Sequence, residues 1–396
     1  MNISVQSGIA IPRWSKSVNV LIEKDPDKPR INRFRIIHLF EADFNFYLKL
    51  QWGKRLVRRA CELNLLHDGQ HGSIPARTAL TPIMLTQLTY DLCRILKTDL
   101  LRFDNDASAC YDRIIVALGM LEARKCGMPA RHAIRTHADA LQFVKYTVKT
   151  VYGISESNYH GTEFAPLFGT GQRSGASPAV WLSLVVILLQ TMDRLIPDRM
   201  NFIPISGARP HARLSDAFVD NTSMGITSTA DDRTYDDLVG TLERIAQTWE
   251  HLLHLSGGKL NLSKCSWFIL KWEWDQGRPT IRPINPTDKA FTLHQGGRTE
   301  AATPIRRTGV SDSTRMLGVL LNPMGDFSAH LKVLKKKADS FASHILSPRL
   351  TAKDIRVFHC SIHIPSMRYG LPTMVIDEEE LAPVQESLVI PSILQK

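Results

Sequence analysis

Apolar positions recur at helical spacing in some stretches and at strand spacing in others. Leu48, Trp52, Leu56 and Ala60 fall four apart and predict a helix near the N-terminus. His71-Gly72-Ser73-Ile74-Pro75 breaks the chain, and residues 81–97 then predict an amphipathic helix, with Thr81 as its cap and Pro82 tolerated in the first turn. The short apolar run 100–103 ends in acidic residues and predicts a buried strand. A helix over 113–126 is stopped by Gly127 and Pro129. The Gly-rich stretch 168–178 feeds a strongly apolar helix over 179–195. Residues 213–227 alternate about a turn near Asp220 and predict a β-hairpin. A helix over 235–255 closes at Gly257-Gly258, and strand follows over 260–274. Residues 276–312 are rich in Gly, Pro, Thr and Arg and predict a surface connection. Helix resumes from Ala329.

Length and composition narrow the class. A chain of 396 residues holds two or three ordinary domains or one large enzyme core with subdomains. Hydrophobic content of 43% with 22% charged residues excludes wholesale disorder. The six cysteines form no CxxC pair, which excludes a zinc ribbon or dithiol redox motif. The opening MNISVQSGIAIPRW lacks a basic segment followed by a long apolar one, and the most apolar run, 180–189, is too short to span a bilayer. An intracellular protein, cytoplasmic or nuclear, with no membrane partner is the expectation. The net charge of +10 fits a polyanionic partner and mere solubility equally well. Its cations cluster. Lys24, Lys28, Arg30, Arg33 and Arg35 lie in a predicted hairpin turning at Asp25-Pro26-Asp27; Lys54, Arg55, Arg58 and Arg59 lie on the first helix; four lysines lie within 332–337. If these serve one polyanion, they should face a shared groove. His251 and His254, with no cysteine or acidic cluster nearby, read as surface.

Three segments carry candidate chemistry: Phe103-Asp104-Asn105-Asp106 continuing to Tyr111-Asp112, Gly169-Thr170-Gly171-Gln172-Arg173 continuing to Ser177-Pro178, and Phe218-Val219-Asp220-Asn221. A carboxylate at the end of a buried strand and another at a hairpin tip can meet. Two such groups can hold Mg²⁺, which takes few protein ligands and completes its shell with water and phosphate oxygens. Paired ions stabilise the attacking and leaving oxygens of an in-line phosphoryl displacement.

In order and spacing these segments resemble motifs A, B and C of a reverse transcriptase, most like the non-LTR retrotransposon kind. Asp106, Tyr111 and Asp112 match motif A, Gln172 with Ser177-Pro178 matches motif B, and Phe218-Val219-Asp220 matches motif C. Flanking segments agree: Lys24 and Arg35 resemble the triphosphate-binding pair of the fingers, Gln70-His71-Gly72 the segment before motif A, Leu260 to Cys265 motif D with Lys264, and Met316-Leu317-Gly318 motif E, the primer grip. The likeness runs from residue 20 to about 320. It implies an α+β right-hand polymerase fold, its palm an antiparallel sheet backed by helices, with helical and hairpin fingers and a partial helical thumb. Fingers would be 1–98, the palm 99–275 with a fingers insertion around 115–165, a connection 276–309, and the primer grip with partial thumb 310–396. The implied activity is RNA-directed DNA polymerase, a nucleotidyltransferase, with RNA template, DNA primer and dNTP as partners and Mg²⁺ or Mn²⁺ as cofactor. Asp106 and Asp220 would be metal ligands and, with Asn221, the catalytic set. Lys24, Arg35, Tyr111, Gln172 and Lys264 would bind the nucleotide, Tyr111 by excluding a 2′-hydroxyl and Lys264 by protonating the leaving pyrophosphate. Leu317 and Gly318 would grip the primer.

Two positions depart from the family. Asn221 stands where motif C has a second Asp, and Arg173 where motif B has Gly. A neutral amide offsets less Mg²⁺ charge than a carboxylate. No endonuclease, RNase H or Cys/His knuckle is recognisable, as in a fragment or a degenerate copy. A catalytically inactive remnant that only binds nucleic acid is therefore the alternative. An RNA-dependent RNA polymerase shares the palm logic, but Tyr111 argues against it. An unrelated α/β protein would hold Asp106 and Asp220 far apart. Among the other acids, Asp104 points the same way as Asp106, Asp112 reads as a structural pair at a helix start, and Asp216 as a solvated hairpin residue.

Overall fold

A computed structural model describes residues 2–24, 30, 34–162, 168–202, 211–228, 233–296, 299–345 and 350–385; the turn predicted at Asp25 to Asp27, with Lys28 and Arg33, lies outside them. In chain order, the elements that place the site are β1 (Lys16–Glu23), β2 (Phe34–Phe40), α1 (Leu80–Leu96), β3 (Asp99–Asp106), α2 (Val116–Lys125), β4 (Lys145–Thr150), β5 (Gly153–His160), α3 (Ser177–Leu195), β6 (Ser215–Phe218), β7 (Asn221–Ser228), α4 (Tyr235–Leu255), β8 (Ser266–Leu270), β9 (Arg306–Arg307), β10 (Thr314–Met316), β11 (Val319–Leu321) and α5 (Ser328–Ile345).

Side-chain alternation along β3 decides the central sheet. Its order is β9-β8-β3-β7-β6, antiparallel throughout except for β9, which runs parallel to β8. Leu101 and Phe103 point to one face, where they join Met224, Ile226, Trp267 and Ile269 in a core shared with α3 and α4. Leu100 points to the other face and joins Phe268, Leu270, Tyr90 of α1, and Val319 and Leu321 of β11 in a second core. Along that second face the strand turns polar toward its end, as Arg102, Asp104 and Asp106 succeed Leu100. Both faces are covered at the apolar end, and the acidic end opens into a cavity.

Helix α3 is apolar on most sides because it is buried on most sides. Among the described residues it is the one helix long and apolar enough to cross a membrane, and here it forms the centre of the larger core. Helix α2 approaches it closely at Gly119, where a Cβ would lie 2.5 Å from Val180 Cγ1. Helix α4 starts with a capping box between Thr234 and Asp237, and Gly257 follows its C-terminus at φ +89°. A second sheet, β2-β1-β4-β5, carries the predicted hairpin. Helical residues 42–62 follow it, and Leu48, Trp52, Leu56 and Ala60 are all buried, as their spacing predicts.

Three sequence expectations change. Helix α1 starts at Leu80, so Thr81 lies inside it and does not cap it; Ala79 holds the cap position without a side-chain bond, and the Thr81 N–H is satisfied by the Thr78 carbonyl at 3.1 Å. The helix predicted over 113–126 is two pieces, Cys110–Arg113 and α2, because the Ile115 N–H leaves the helix to bond Ser256 O at 3.0 Å. Residues 276–312 are more than a surface connection: β9 joins the central sheet, and Phe291, Leu293 and Ile305 are buried. The Phe291 ring packs 5.4 Å from both Phe103 and Trp267. Three apolar residues spread among polar ones leave no periodicity to read.

Asp288 fastens this segment. Its carboxylate accepts from Arg282 and Arg307, each at 2.7 Å, and from the Asn285 N–H at 3.1 Å. Burial pushes its pKa up, but those hydrogen bonds outweigh burial and hold it at about 2. A depressed folded pKa gives stability that is present above the unfolded value and lost as pH falls through about 4 toward 2. Asp288→Asn is expected to cost about 2 kcal/mol at neutral pH. In urea titrations the gap from wild type should narrow at pH 3; a gap independent of pH would refute the assignment.

Candidate active site

The strand end and the hairpin tip meet. Asp106 closes β3 and pairs directly with Asn221, the first residue of β7, and the Ala107 N–H donates to the Asp220 carbonyl at 2.8 Å. Asp220 lies in the two-residue turn between β6 and β7, beside Val219 at φ +57°. A β-branched residue rarely adopts that conformation. The turn is held from two sides: Trp181 Nε1–H donates to Val219 O at 2.6 Å, and Gly72 lies so close that a Cβ would be 2.6 Å from Val219 N. Gln70-His71-Gly72 thus serves as a short parallel rail along β6, with the His71 N–H on Ala217 O at 2.8 Å.

The two carboxylates differ in surroundings. Both Asp106 oxygens accept from Lys264 Nζ, at 3.2 and 3.0 Å. Burial, and then the Asp106 charge, push the Asp220 carboxyl above the ordinary carboxylate range, against the lowering effects of its own backbone N–H, Lys264 and the Asn221 amide. That amide turns toward Asp220, with Nδ2 donating to Oδ1 at 3.2 Å. Burial also lifts the Cys110 thiol to about 12, with Asp220 adding to the effect, so Cys110 is no nucleophile. A carboxyl with a raised folded pKa loses stability as pH rises from its unfolded value through its folded one. Asp220→Asn is therefore expected to raise the melting temperature by about 1–2 °C at pH 7 in EDTA. A fall would mean that Asp220 is held by contacts that compensate its burial.

Around the pair, the Gly-rich loop leans on the segment after Asp106. The Thr170 N–H bonds Tyr111 O at 2.8 Å, and Ser177 Oγ closes the loop on Gly171 O at 2.7 Å. Gln172 Nε2 reaches Asp112 Oδ2 at 3.4 Å, so Asp112 is a structural pair, as expected. Tyr111 packs against the core beside this loop, and its hydroxyl pKa is raised by burial. Arg173 is exposed at φ +79°, on the rim of the loop. Lys24 and Arg35 are exposed beside the connecting turn of the β1–β2 hairpin. Arg35 shares a strand face with Ile22, opposite the face of His38. It is His38 that meets the loop: Gly171 packs on its ring, and its Nε2 lies 3.6 Å from Asp112 Oδ1.

A cavity of about 400 Å³ opens on the acidic end of the sheet. Asp106, Asn221 and Lys264 line it, together with Leu317 and two cations the sequence reading missed, Arg306 and Arg315. Leu317 and Gly318, at φ +48° and +97°, form the tight turn between β10 and β11 expected of a two-residue hairpin. Arg315 directly precedes the predicted primer-grip residues, and that adjacency was the available signal. Among the described residues, the predicted basic clusters at 54–59 and 332–337 do not line it. Arg55 and Arg59 border a separate cavity with Met128, and Lys336 and Lys337 border an apolar cleft with Phe341 and Phe358. Asp104 is neutralised by Arg102, Nε to Oδ1 at 2.8 Å, and accepts from Ser223 Oγ. Asp216 is not a solvated hairpin residue: it is 3% exposed, bonded to His71 Nε2 at 3.2 Å and 3.4 Å from Arg213. His251 and His254 are exposed, as expected.

Among the described residues, no group of three or more His, Cys, Asp or Glu forms a metal cluster. The donors present, two carboxylates and one amide carbonyl, are oxygen only. That set suits Mg²⁺ or Mn²⁺ completed by phosphate, and does not suit zinc.

No family model matches the chain, and no curated protein matches it. Solved structures do. Telomerase from Candida albicans in complex with the TWJ fragment of telomeric RNA matches at 12% identity and TM-score 0.44, over 97% of this chain and 59% of its own. Apo telomerase from Candida tropicalis matches at 12% identity and TM-score 0.43, over 97% and 62%. A form of it truncated from the C-terminal domain matches at 15% and 0.39, over 70% and 52%. The chain thus spans between about half and three-fifths of these structures. The likeness is coarse.

Proposed function

We propose that the chain is an RNA-directed DNA polymerase domain of the reverse transcriptase kind, with the retroelement kinship its motif spacing implies. The observation that carries this reading is the meeting of the strand end at Asp106 with the hairpin tip at Asp220, with Leu317 lining the cavity that Asp106 and Asn221 line. An unrelated α/β protein has no reason to assemble three segments spread over some two hundred residues in the order a polymerase needs.

In this reading the central sheet is the palm. Asp106 and Asp220 would hold Mg²⁺ or Mn²⁺, and the Asn221 carbonyl would be a neutral third ligand. The ions, when bound, stabilise charge on the attacking and leaving oxygens. Leu317 and Gly318 position the primer 3′-hydroxyl against the α-phosphate of a dNTP. Tyr111 lies under the sugar and excludes a 2′-hydroxyl, and Gln172 braces the base pair. The triphosphate contact that the resemblance gives to Lys24 and Arg35 is not carried over, because Arg35 lies on the strand face opposite His38 and the Gln172 loop. Lys264 supplies the proton to the departing pyrophosphate.

A second reading has its own observation. Asn221 gives its amide to Asp220 and Lys264 occupies Asp106, a self-satisfied arrangement that suits an inactive nucleic-acid-binding remnant. Extension of a DNA primer on an RNA template with Mg²⁺ or Mn²⁺ separates the two. dNTP extension beyond an Asp106→Ala control supports the enzyme. RNA binding without extension supports the remnant. Preferential rNTP incorporation would make it an RNA polymerase.

A further inference from the structure

Lys264 does more at this site than a phosphate contact requires. Its ammonium sits on both oxygens of Asp106, at 3.2 and 3.0 Å, although the side chain is 61% exposed and free to reach water. The root of the side chain is fixed. The Asn261 N–H bonds Asp106 O at 2.9 Å, and the Lys264 N–H bonds Asn261 O at 2.9 Å, so the turn Leu262–Lys264 is fastened to the end of β3. The ammonium lies in the same cavity as Asn221. Asn221 adds no charge of its own, and among the described residues Lys264 is the one cation in contact with the Asp106 carboxylate. A divalent ion on Asp106 and an ammonium on the same two oxygens exclude each other by contact and by like charge.

We infer that Lys264 is the resident counter-ion of Asp106, which a divalent cation must displace before the site can be loaded. Ion pair and metal compete for one carboxylate, so the lysine sets the metal concentration the site demands. This rests on the metal-site reading above. It assigns Lys264 a positioning role in the unloaded protein that is separate from any proton transfer. Because the ammonium is anchored only at its root, displacement leaves it within the cavity beside Arg306 and Arg315.

The test is an Mn²⁺ titration of the full chain followed by electron paramagnetic resonance of free Mn²⁺, without nucleotide. Wild type, Lys264→Gln, Lys264→Arg and the double variant Lys264→Gln with Asp106→Asn are compared. The exposed side chain makes each Lys264 variant a mild change to the fold. Lys264→Gln is expected to bind Mn²⁺ about fivefold more tightly, the scale of one partly exposed charge pair. Lys264→Arg should stay near wild type, and the double variant should lose the tight site. Equal affinity in wild type and Lys264→Gln, with binding still sensitive to Asp106→Asn, would overturn the counter-ion and leave the metal site standing. No Asp106-dependent Mn²⁺ binding in Lys264→Gln would overturn both.

Discussion

Replacing Asp106 by Ala is expected to lower primer extension about a thousandfold while leaving the fold in place. The loss follows from chemistry. In the proposed site Asp106 would be one of two anionic ligands, and a metal held by carboxylate supplies several kcal/mol of transition-state charge stabilisation. Each 1.4 kcal/mol is a factor of ten in rate, so forfeiting most of that effect gives about three orders of magnitude. The fold should survive because, among the described residues, the side chain accepts hydrogen bonds from Lys264 alone, and that ammonium, more than half exposed, returns to water. The strand pairing of Asp106 with Asn221 uses backbone groups and is unaffected. Single-turnover extension measures the effect, with circular dichroism and RNA binding as controls. Extension within tenfold of wild type would remove Asp106 from the chemistry.

Legibility in the sequence followed the range over which each signal acts. Period-two alternation located the β6–β7 hairpin, and the acidic end of an apolar run located the strand end, where the motif A spacing to Asp112 picked Asp106 over Asp104; these signals are local and survive folding. The apolar helix over 179–195 was legible for the same reason, and is α3. What failed depended on what comes opposite in space. Asp216 has the sequence surroundings of a solvated hairpin acid, yet His71, some 145 positions away, lies against it and buries it. Arg306 and Arg315 sit in a Gly- and Thr-rich stretch with no periodicity; the parallel pairing of β9 with β8 brings Arg306 to the sheet, and Arg315 comes in on the β10–β11 hairpin. The basic clusters were the most conspicuous charge signal and the least informative about place, since a solvated helix face and a nucleic-acid contact share one composition. The cations lining the Asp106 cavity are single residues: Arg102, Lys264, Arg306 and Arg315.

Charge at the site, unlike charge over the whole chain, bears on catalysis. The excess of +10 supports contact with a polyanion and is silent on copying it. Asn221 decides that question, because it is the cross-strand partner of Asp106 and the neighbour of Asp220 at once. Like charges directly opposite each other across an antiparallel pair are destabilising. An acid at 221 would face Asp106 across the strands and lose the amide that now donates to Asp220. Without metal, Asn is thus the more comfortable residue; with metal, the acid is.

Asn221→Asp is accordingly expected to reverse sign between stability and activity. In EDTA the variant should lose about 1 kcal/mol, the cost of a like-charge pair at close cross-strand range, and the already raised Asp220 carboxyl should rise further. Mg²⁺ should return that stability, because a third carboxylate is satisfied by the ion it helps to hold. Extension with Mg²⁺ should rise between tenfold and a hundredfold, since a charged ligand replaces a neutral one where the ions stabilise developing charge. Thermal unfolding with and without Mg²⁺, run beside primer extension, reads both halves of the prediction. Gain of activity together with metal-dependent stability would show a polymerase site in which Asn221 limits turnover. Stability unchanged by Mg²⁺ and extension no better than wild type would mean that position 221 does not face a metal, and the assignment of the hairpin as motif C would fall with it.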